Sequence, residues 1–219
     1  MTRLLVRPIA TLLFAVTATA CALHPAIAQV VNPPATVRVD SGRYGYTKAD
    51  VNFVSGMIGH HAQAVIMAEW APTHGANPSL SILCRRIALA QTTEIELMSS
   101  WLRDRNERVP DPNAKHNMAG MAMPGMTMGD SLMPGMLSPQ QLSELDRARG
   151  VEFDRLFLRD MIQHHEGALT MVATLFGTNG AAQDDFVFKF ATDVHADQST
   201  EIDRMQQMLD ALPPERHTP

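Results

Sequence analysis

Apolar residues recur at spacings of three and four along the first patterned stretch of the chain, which is the period of an amphipathic helix. The stretch starts at Thr47, which forms a weak capping box with Asp50, and it stops before Pro72, which cannot continue a helix. Its recurring face consists of Phe53, Met57, His60, Ala64, Met67 and Ala71. The pattern predicts a first helix that begins near residue 47.

A second helix is indicated between Asn77 and Pro110. Asn77 can cap this helix, Pro78 can occupy its first position, and Pro110 marks the point before which it should stop. Only about six residues separate the two helices, and connections of that length join antiparallel neighbours. The two helices are therefore expected to form a hairpin.

The second half of the chain carries comparable signals. Ser138 and Pro139 mark a strong helix start, and Gly150 is expected to interrupt or bend the helical stretch that begins there. The main third helix is predicted over residues 151–176 and the fourth over residues 182–212. A second hairpin should result.

The two predicted hairpins share one sequence pattern. The pattern Asp-x-x-Phe-x-x-x-Met-Ile-x-His-His-x-x-Ala-x-x-Met starts at Asp50 and again at Asp154, an offset of 104 residues. The pattern Gln-x-Thr-Glu-Ile-x-x-Met starts at Gln91 and again at Gln198, an offset of 107. One hairpin is too thin to bury its own apolar face, so the repeat predicts an all-α four-helix bundle over residues 47–212 with an approximate two-fold axis.

The repeat also places methionine and paired histidines on the first helix of each hairpin. Met57 lies three residues before His60 and four before His61, so it neighbours both on a helix. Met98 or Met205 could approach from the partner helix. The candidate metal ligands on the helices are Met57, His60, His61, Met67, Met98, Met161, His164, His165, Met171 and Met205.

A single methionine on such a face is usually a core residue, and a single histidine is more often a satisfied core residue than a ligand. Duplication of the whole set favours a site, because paired imidazoles are costly to bury without partners. Thioether and imidazole are neutral donors, and the soft sulfur favours Cu(I), with Cu(II) able to use the histidines. Gln91 and Glu94 could either orient the imidazoles or make ordinary bundle contacts.

The linker at residues 108–137 is rich in methionine, glycine and proline, which exclude a stable helix. A flexible low-complexity linker is the alternative, but such linkers ordinarily use serine or glycine instead of thioethers. Capture of a soft ion is the favoured interpretation, and it leaves the methionines outside a regular core. The candidate ligands in the linker are His116, Met118, Met121, Met123, Met126, Met128, Met133 and Met136.

The first 28 residues have a basic start, an apolar centre and a small-residue cleavage site, which are the features of an export signal. Lipid attachment at Cys21 is the weaker alternative, and no membrane span is expected after removal of the signal. Residues 29–46 are predicted to be an extended lead-in and residues 213–219 a tail. The formal net charge of −5 argues against nucleic-acid binding.

The remaining histidines and cysteine give weaker signals. His74 in the first hairpin turn and His217 in the tail are expected to be solvated, whereas His195 is either a further ligand or a surface residue. Cys84 has no partner for a disulfide once Cys21 is removed or lipidated. It is predicted to be a small buried residue.

The segments "MIGHHAQAVIMA" and "MIQHHEGALTMV", with "FDRLFLRD" before the second, resemble the family known as domain of unknown function 305. The resemblance covers nearly all of residues 47–212. It implies an exported ferritin-like bundle whose members bind copper through methionine and histidine and assist periplasmic copper resistance. The residues that it implicates are Met57, His60, His61, Met67, Met161, His164, His165 and Met171.

These observations lead to the hypothesis of a periplasmic or secreted copper-binding protein, not an enzyme, that sequesters or ferries copper and could pass it to a periplasmic exporter or chaperone. The alternative is a di-metal oxidase or peroxidase-like enzyme in the same bundle. Such enzymes use Glu-x-x-His pairs, and no such pair occurs at matched positions: Glu166 follows His165, and its counterpart is Ala62.

Overall fold

The computed structural model describes residues 45–112 and 132–214. This part of the chain forms five helices and no strand: α1 (Lys48–Glu69), α2 (Pro78–Asp104), α3 (Pro139–Arg147), α4 (Val151–Phe176) and α5 (Asp185–Asp210). None of these helices is long and apolar enough to cross a membrane. The predicted signal, nearly all of the lead-in, the linker residues from His116 to Met128 and most of the tail, including His217, lie outside the described residues.

The predicted helix starts are confirmed at the level of single hydrogen bonds. The side chain of Thr47 accepts from the Asp50 N–H, and that of Asn77 accepts from the Leu80 N–H. Ser138 forms a complete capping box with Gln141. These side chains satisfy N–H groups that have no partner within the helix, so they fix where each helix begins.

Gly150 separates α3 from α4, whereas the sequence left open whether it interrupts or bends one helix. Its φ of 58° lies in the left-handed region, where a right-handed helix cannot continue. Its N–H donates to the carbonyl of His74 at 2.8 Å, which ties this break to the turn of the first hairpin.

The last helix begins three residues later than predicted. Ala182 has a φ of 55°, which excludes it from a right-handed helix, and its N–H donates to the Asp50 Oδ1 atom at 2.7 Å. The helix begins instead at Asp185, and Asp184 caps it by accepting from the N–H groups of Phe186 and Val187. A contact with α1 therefore decides this boundary.

The long helices pair as the repeat predicted. Helix α1 packs along α2, α4 packs along α5, and the two hairpins meet mainly through α1 and α4. The buried apolar residues form two clusters, one containing Met57 and Met98 and the other containing their repeat equivalents Met161 and Met205. This arrangement places the histidine-bearing helices at the centre of the bundle.

The end of the linker is seated on the surface formed by α1 and α4. The Gln63 amide donates to the Leu137 carbonyl at 3.1 Å and accepts from the Leu137 N–H at 2.8 Å. Met136 is only 4% exposed, so the expectation that the linker leaves its methionines outside the core is wrong for this residue. The reason is that Gln63 holds the backbone beside it, which anchors the last residues of the linker to the bundle.

Gly135 and Gly167 allow the linker and α4 to approach closely. A Cβ atom added to Gly167 would overlap the Pro134 carbonyl oxygen and the Cα atom of Gly135, both of which belong to the backbone and cannot rotate away. Gly135 also has a φ of 74°, which favours glycine. The contact therefore requires glycine at both positions.

We expect Gly167→Ala to destabilise the metal-free protein by roughly 1–3 kcal/mol, because the backbone of residues 134–135 must move. Equilibrium urea denaturation followed by helical circular dichroism measures the loss. Gly45→Ala is the matched control, because no atom lies within 4 Å of its added Cβ. Equal stability of the two variants would contradict the seated position of the linker.

Candidate metal centre

The four histidines of the repeat meet at the centre of the bundle, and none has any exposed surface. The rings of His60 on α1 and His164 on α4 lie 3.8 Å apart between centroids and are tilted by 39°. These two residues are equivalents in the repeat. The internal duplication therefore brings matched imidazoles into contact across the boundary between the hairpins.

His61 and His165 each bind a carboxylate of their own hairpin. The His61 Nε2 atom lies 2.7 Å from Glu94 Oε2, and the His165 Nε2 atom lies 2.7 Å from Glu201 Oε2. The two glutamates are equivalents in the second repeat pattern. The open question about Glu94 is thereby answered, because its carboxylate orients an imidazole.

The hydrogen bonds determine which ring nitrogen carries the proton. A carboxylate or carbonyl oxygen accepts, so the neutral imidazole must donate from Nε2 and keep its lone pair on Nδ1. This holds for His61 and His165, and also for His60, whose Nε2 atom lies 3.0 Å from the Pro134 carbonyl oxygen. The Nδ1 atoms of all three, and both ring nitrogens of His164, are buried without a partner.

Burial keeps the imidazoles of His60 and His164 uncharged. It lowers the pKa of His60 to about 3, with the neighbouring His61 adding to the effect. Burial likewise lowers the pKa of His164 well below its ordinary value, and the surrounding histidines act in the same direction. Neutral imidazoles have a lone pair that can bind a metal ion, and protonated ones do not.

The candidate methionines on the helices fall into two groups, one in each apolar cluster. Met57 and Met98 belong to one apolar cluster, against which Met171 packs. Met161 and Met205 belong to the other cluster together with Met67. Each group therefore combines two methionines of one hairpin with a third from the other. In the linker, Met133 is half-buried and Met136 is buried.

No three side chains of the His, Cys, Asp and Glu types form a metal-binding group among the described residues. Cys84 is buried as predicted, and burial together with the nearby Asp154 raises its pKa to about 12. It therefore remains a thiol, whereas metals bind the thiolate.

The prediction that His74 is solvated is wrong. This residue is only 4% exposed, and its Nε2 atom lies 2.9 Å from the Asp146 carbonyl oxygen. Its ring packs on Phe153, which explains its burial in the hairpin turn. His195 is exposed on α5, so it stands apart from the four central histidines.

A cavity of about 200 Å³ lies between α2 and α5. The sequence did not reveal this cavity. It did indicate that both helices carry the same polar residues, because Gln91 and Glu94 recur as Gln198 and Glu201. Gln91 is 3% exposed, and neither polar atom of its side chain has a hydrogen-bond partner. The lining residues are Ala90, Gln91, Glu94, Val194, Asp197, Gln198, Thr200 and Glu201.

The lowered pKa of His60 makes the stability of the metal-free protein dependent on pH. Below the ordinary histidine pKa of 6.5 the unfolded chain takes up a proton that folded His60 does not take up until about pH 3. The free energy of unfolding should therefore fall as the pH is lowered through this range, by on the order of 5 kcal/mol for this residue.

Urea denaturation between pH 7 and pH 4 measures this slope. We expect His60→Gln to make it shallower, whereas His195→Gln, an exposed control, should leave it unchanged. An unaltered slope in His60→Gln would contradict a neutral buried imidazole.

No curated protein matches the sequence at a significant level. Among solved structures, CopM in a Cu(II)-bound form is 32% identical over 74% of this chain and 95% of that chain, with a TM-score of 0.57. CopM in a Cu(I)-bound form is 29% identical over 76% and 97%, with a TM-score of 0.54.

A DUF305 fragment from Deinococcus radiodurans is 25% identical over 76% of this chain and 99% of that chain, with a TM-score of 0.62. These similarities agree with the all-helical, ferritin-like bundle described above. The family described as a domain of unknown function (DUF305) matches residues 50–209. The chain therefore belongs to the DUF305 family.

Proposed function

We propose that this protein binds copper through its methionines and histidines and sequesters or ferries the ion outside the cytoplasm. The observation that carries the proposal is the matched pair of hydrogen bonds, at 2.7 Å each, from His61 to Glu94 and from His165 to Glu201. Both leave a buried Nδ1 atom without a partner. Copper is the cargo in this proposal, and the protein acts by binding instead of by catalysis.

A hydrogen bond from one imidazole nitrogen to a carboxylate is the usual support for a metal bound at the other nitrogen. The carboxylate fixes the ring orientation, fixes the tautomer and increases the basicity of the free nitrogen. A buried polar atom without a partner costs about 1–3 kcal/mol. A metal ion at Nδ1 would remove that cost, which explains why the bundle tolerates these unpaired atoms.

The flanking methionines support copper over other metals. Thioether sulfur is soft and uncharged, and the imidazoles of His60 and His164 are neutral, so the donors favour Cu(I). Sites of one or two imidazoles with thioether sulfur suit this ion better than zinc, which more often binds thiolate or carboxylate. CopM, which shares the fold at about 30% identity, was solved with Cu(I) and with Cu(II) bound.

The linker has a separate part in the proposal. Its outer donors, from His116 to Met128, would capture Cu(I), and its seated end at residues 134–137 joins it to the bundle beside His60. Export through the signal at residues 1–28 would place both parts in an oxidising compartment. Methionine suits that compartment because it does not form disulfides.

Titration of the mature protein with copper against a competing chelator tests the proposal. We expect the wild type to bind Cu(I) and Cu(II) tightly. A variant with glutamine at positions 60, 61, 164 and 165 should lose Cu(II) binding and keep the part of its Cu(I) capacity that the linker supplies. Circular dichroism establishes that the variant stays helical. Wild-type protein that does not compete with the chelator would contradict the proposal.

Substitution of the supporting carboxylates gives a finer test. We expect Glu94→Gln and Glu201→Gln each to weaken copper binding about 10-fold to 100-fold, because the imidazole loses its fixed tautomer. Glu96→Gln on the exposed face of α2 is the matched control and should bind as the wild type does. Unchanged affinity in both carboxylate variants would exclude a role for these pairs in metal binding.

A further inference from the structure

The four central histidines have no exposed surface, so an ion must pass other residues to reach them. On the side formed by α1 and α4, the linker end covers the centre, and the Pro134 carbonyl binds His60 directly. On the side formed by α2 and α5, the cavity of about 200 Å³ lies between the two helices. The linker therefore covers the side formed by α1 and α4, whereas the side formed by α2 and α5 contains a cavity.

Two glutamates that line the cavity also bind the histidines behind it. Glu94 and Glu201 line it, and their side chains are 20% and 24% exposed. The same carboxylates bind His61 and His165, which are completely buried. Each glutamate is thus in contact with the cavity and with a histidine at once.

The negative charge of the lining residues also suits the cavity to a cation. Asp197 joins Glu94 and Glu201 in its lining, and no basic residue does. Partial burial raises the pKa of Asp197, and repulsion from Glu94, Glu201 and Asp193 adds to the effect, whereas Lys189 lowers it. A cleft lined by one sign of charge concentrates ions of the opposite sign and speeds their association.

Gln91 gives independent support for a ligand in the cavity. It is nearly completely buried, it lines the cavity, and its amide oxygen and nitrogen have no protein partner. The Oε1 atom of Gln198, its repeat equivalent, is also unpartnered. Buried amide groups need partners, which are either hydrogen-bonding groups or metal ions. A hydrated ion that passes between the two amides offers them its water molecules and its own charge.

We propose that the cavity between α2 and α5 is the route by which copper ions reach His61 and His165. Asp197 attracts the cation at the mouth, and the amide oxygens of Gln91 and Gln198 replace part of its water shell. The carboxylates of Glu94 and Glu201 then draw it past the Nε2 edge of each ring, to which they are hydrogen-bonded, towards the unpartnered Nδ1 atoms. The proposal rests on the copper-binding function, and it concerns the rate at which the ion arrives. Asp197 acts before the ion is bound, so its loss alters the rate of loading and leaves the final capacity unchanged.

Stopped-flow absorbance of the imidazole-to-Cu(II) charge-transfer band, which does not depend on tryptophan emission, measures loading in the full mature protein. We expect Asp197→Asn to lower the association rate constant several-fold at low ionic strength and to reduce its dependence on salt. Ala90→Trp, which fills the mouth of the cavity, should slow loading by at least about tenfold. The matched controls are Asp203→Asn and Ala196→Trp, at exposed positions of α5 that do not line the cavity.

Equilibrium titration of the same variants separates this proposal from the proposed function. Slower loading with full copper capacity supports the route. Wild-type rates in Asp197→Asn and Ala90→Trp, with full capacity, would overturn the route and leave the copper-binding function intact. A lower capacity in Asp197→Asn at an unchanged rate would make this residue a ligand and would also overturn the route. Wild-type protein without copper binding would overturn both.

Discussion

Burial of four imidazoles at the meeting of two hairpins is the constraint on which the rest of this structure depends. A buried charge is far more costly than a buried neutral group, so His60 and His164 stay unprotonated, and their lowered pKa values express that requirement. Each neutral ring then needs an acceptor for its one N–H. The fold supplies acceptors for His60, His61 and His165 from three different elements.

The acceptors explain features that otherwise look unrelated. Glu94 and Glu201 are placed on the second helix of each hairpin because they must reach a histidine on the first. The linker end must lie close to the bundle for the Pro134 carbonyl to bind His60 on α1, and its close contact with α4 requires Gly135 and Gly167. Every acceptor binds an Nε2 atom, so each of these three rings presents the same nitrogen, Nδ1, without a partner. Nδ1 is therefore the nitrogen that each of these rings would offer to an ion in the proposed function.

The sequence was sufficient for the fold and for the residues at the centre, because the repeat is long and its helix caps are explicit. Thr47, Asn77 and Ser138 begin helices where their side chains predicted. The start of the last helix was misplaced, since it depends on a contact between Ala182 and Asp50, which lie 132 residues apart in the sequence. No local pattern carries such information.

The same limit applies to the site. Periodicity placed His60 and His164 on the inner faces of their helices, but it did not reveal that their rings touch, because this depends on how the hairpins are packed. The burial of His74 depends on Asp146 and Phe153 in the other half of the chain. The repeat gave no reason to select Asp197, because its equivalent is Ala90. Its place beside Glu94 and Glu201 depends on how α2 and α5 are arranged around the cavity.

The protonation of the ring nitrogens tests the central claim most directly. Nuclear magnetic resonance of metal-free protein labelled with nitrogen-15 in histidine distinguishes a protonated nitrogen from one with a free lone pair. The account predicts that His60, His61 and His165 carry a proton on Nε2, where each ring has its hydrogen-bond acceptor, and change their Nδ1 signals when Ag(I) is added as a diamagnetic substitute for Cu(I). Protons on Nδ1, or Nδ1 signals that do not respond to the metal, would contradict it.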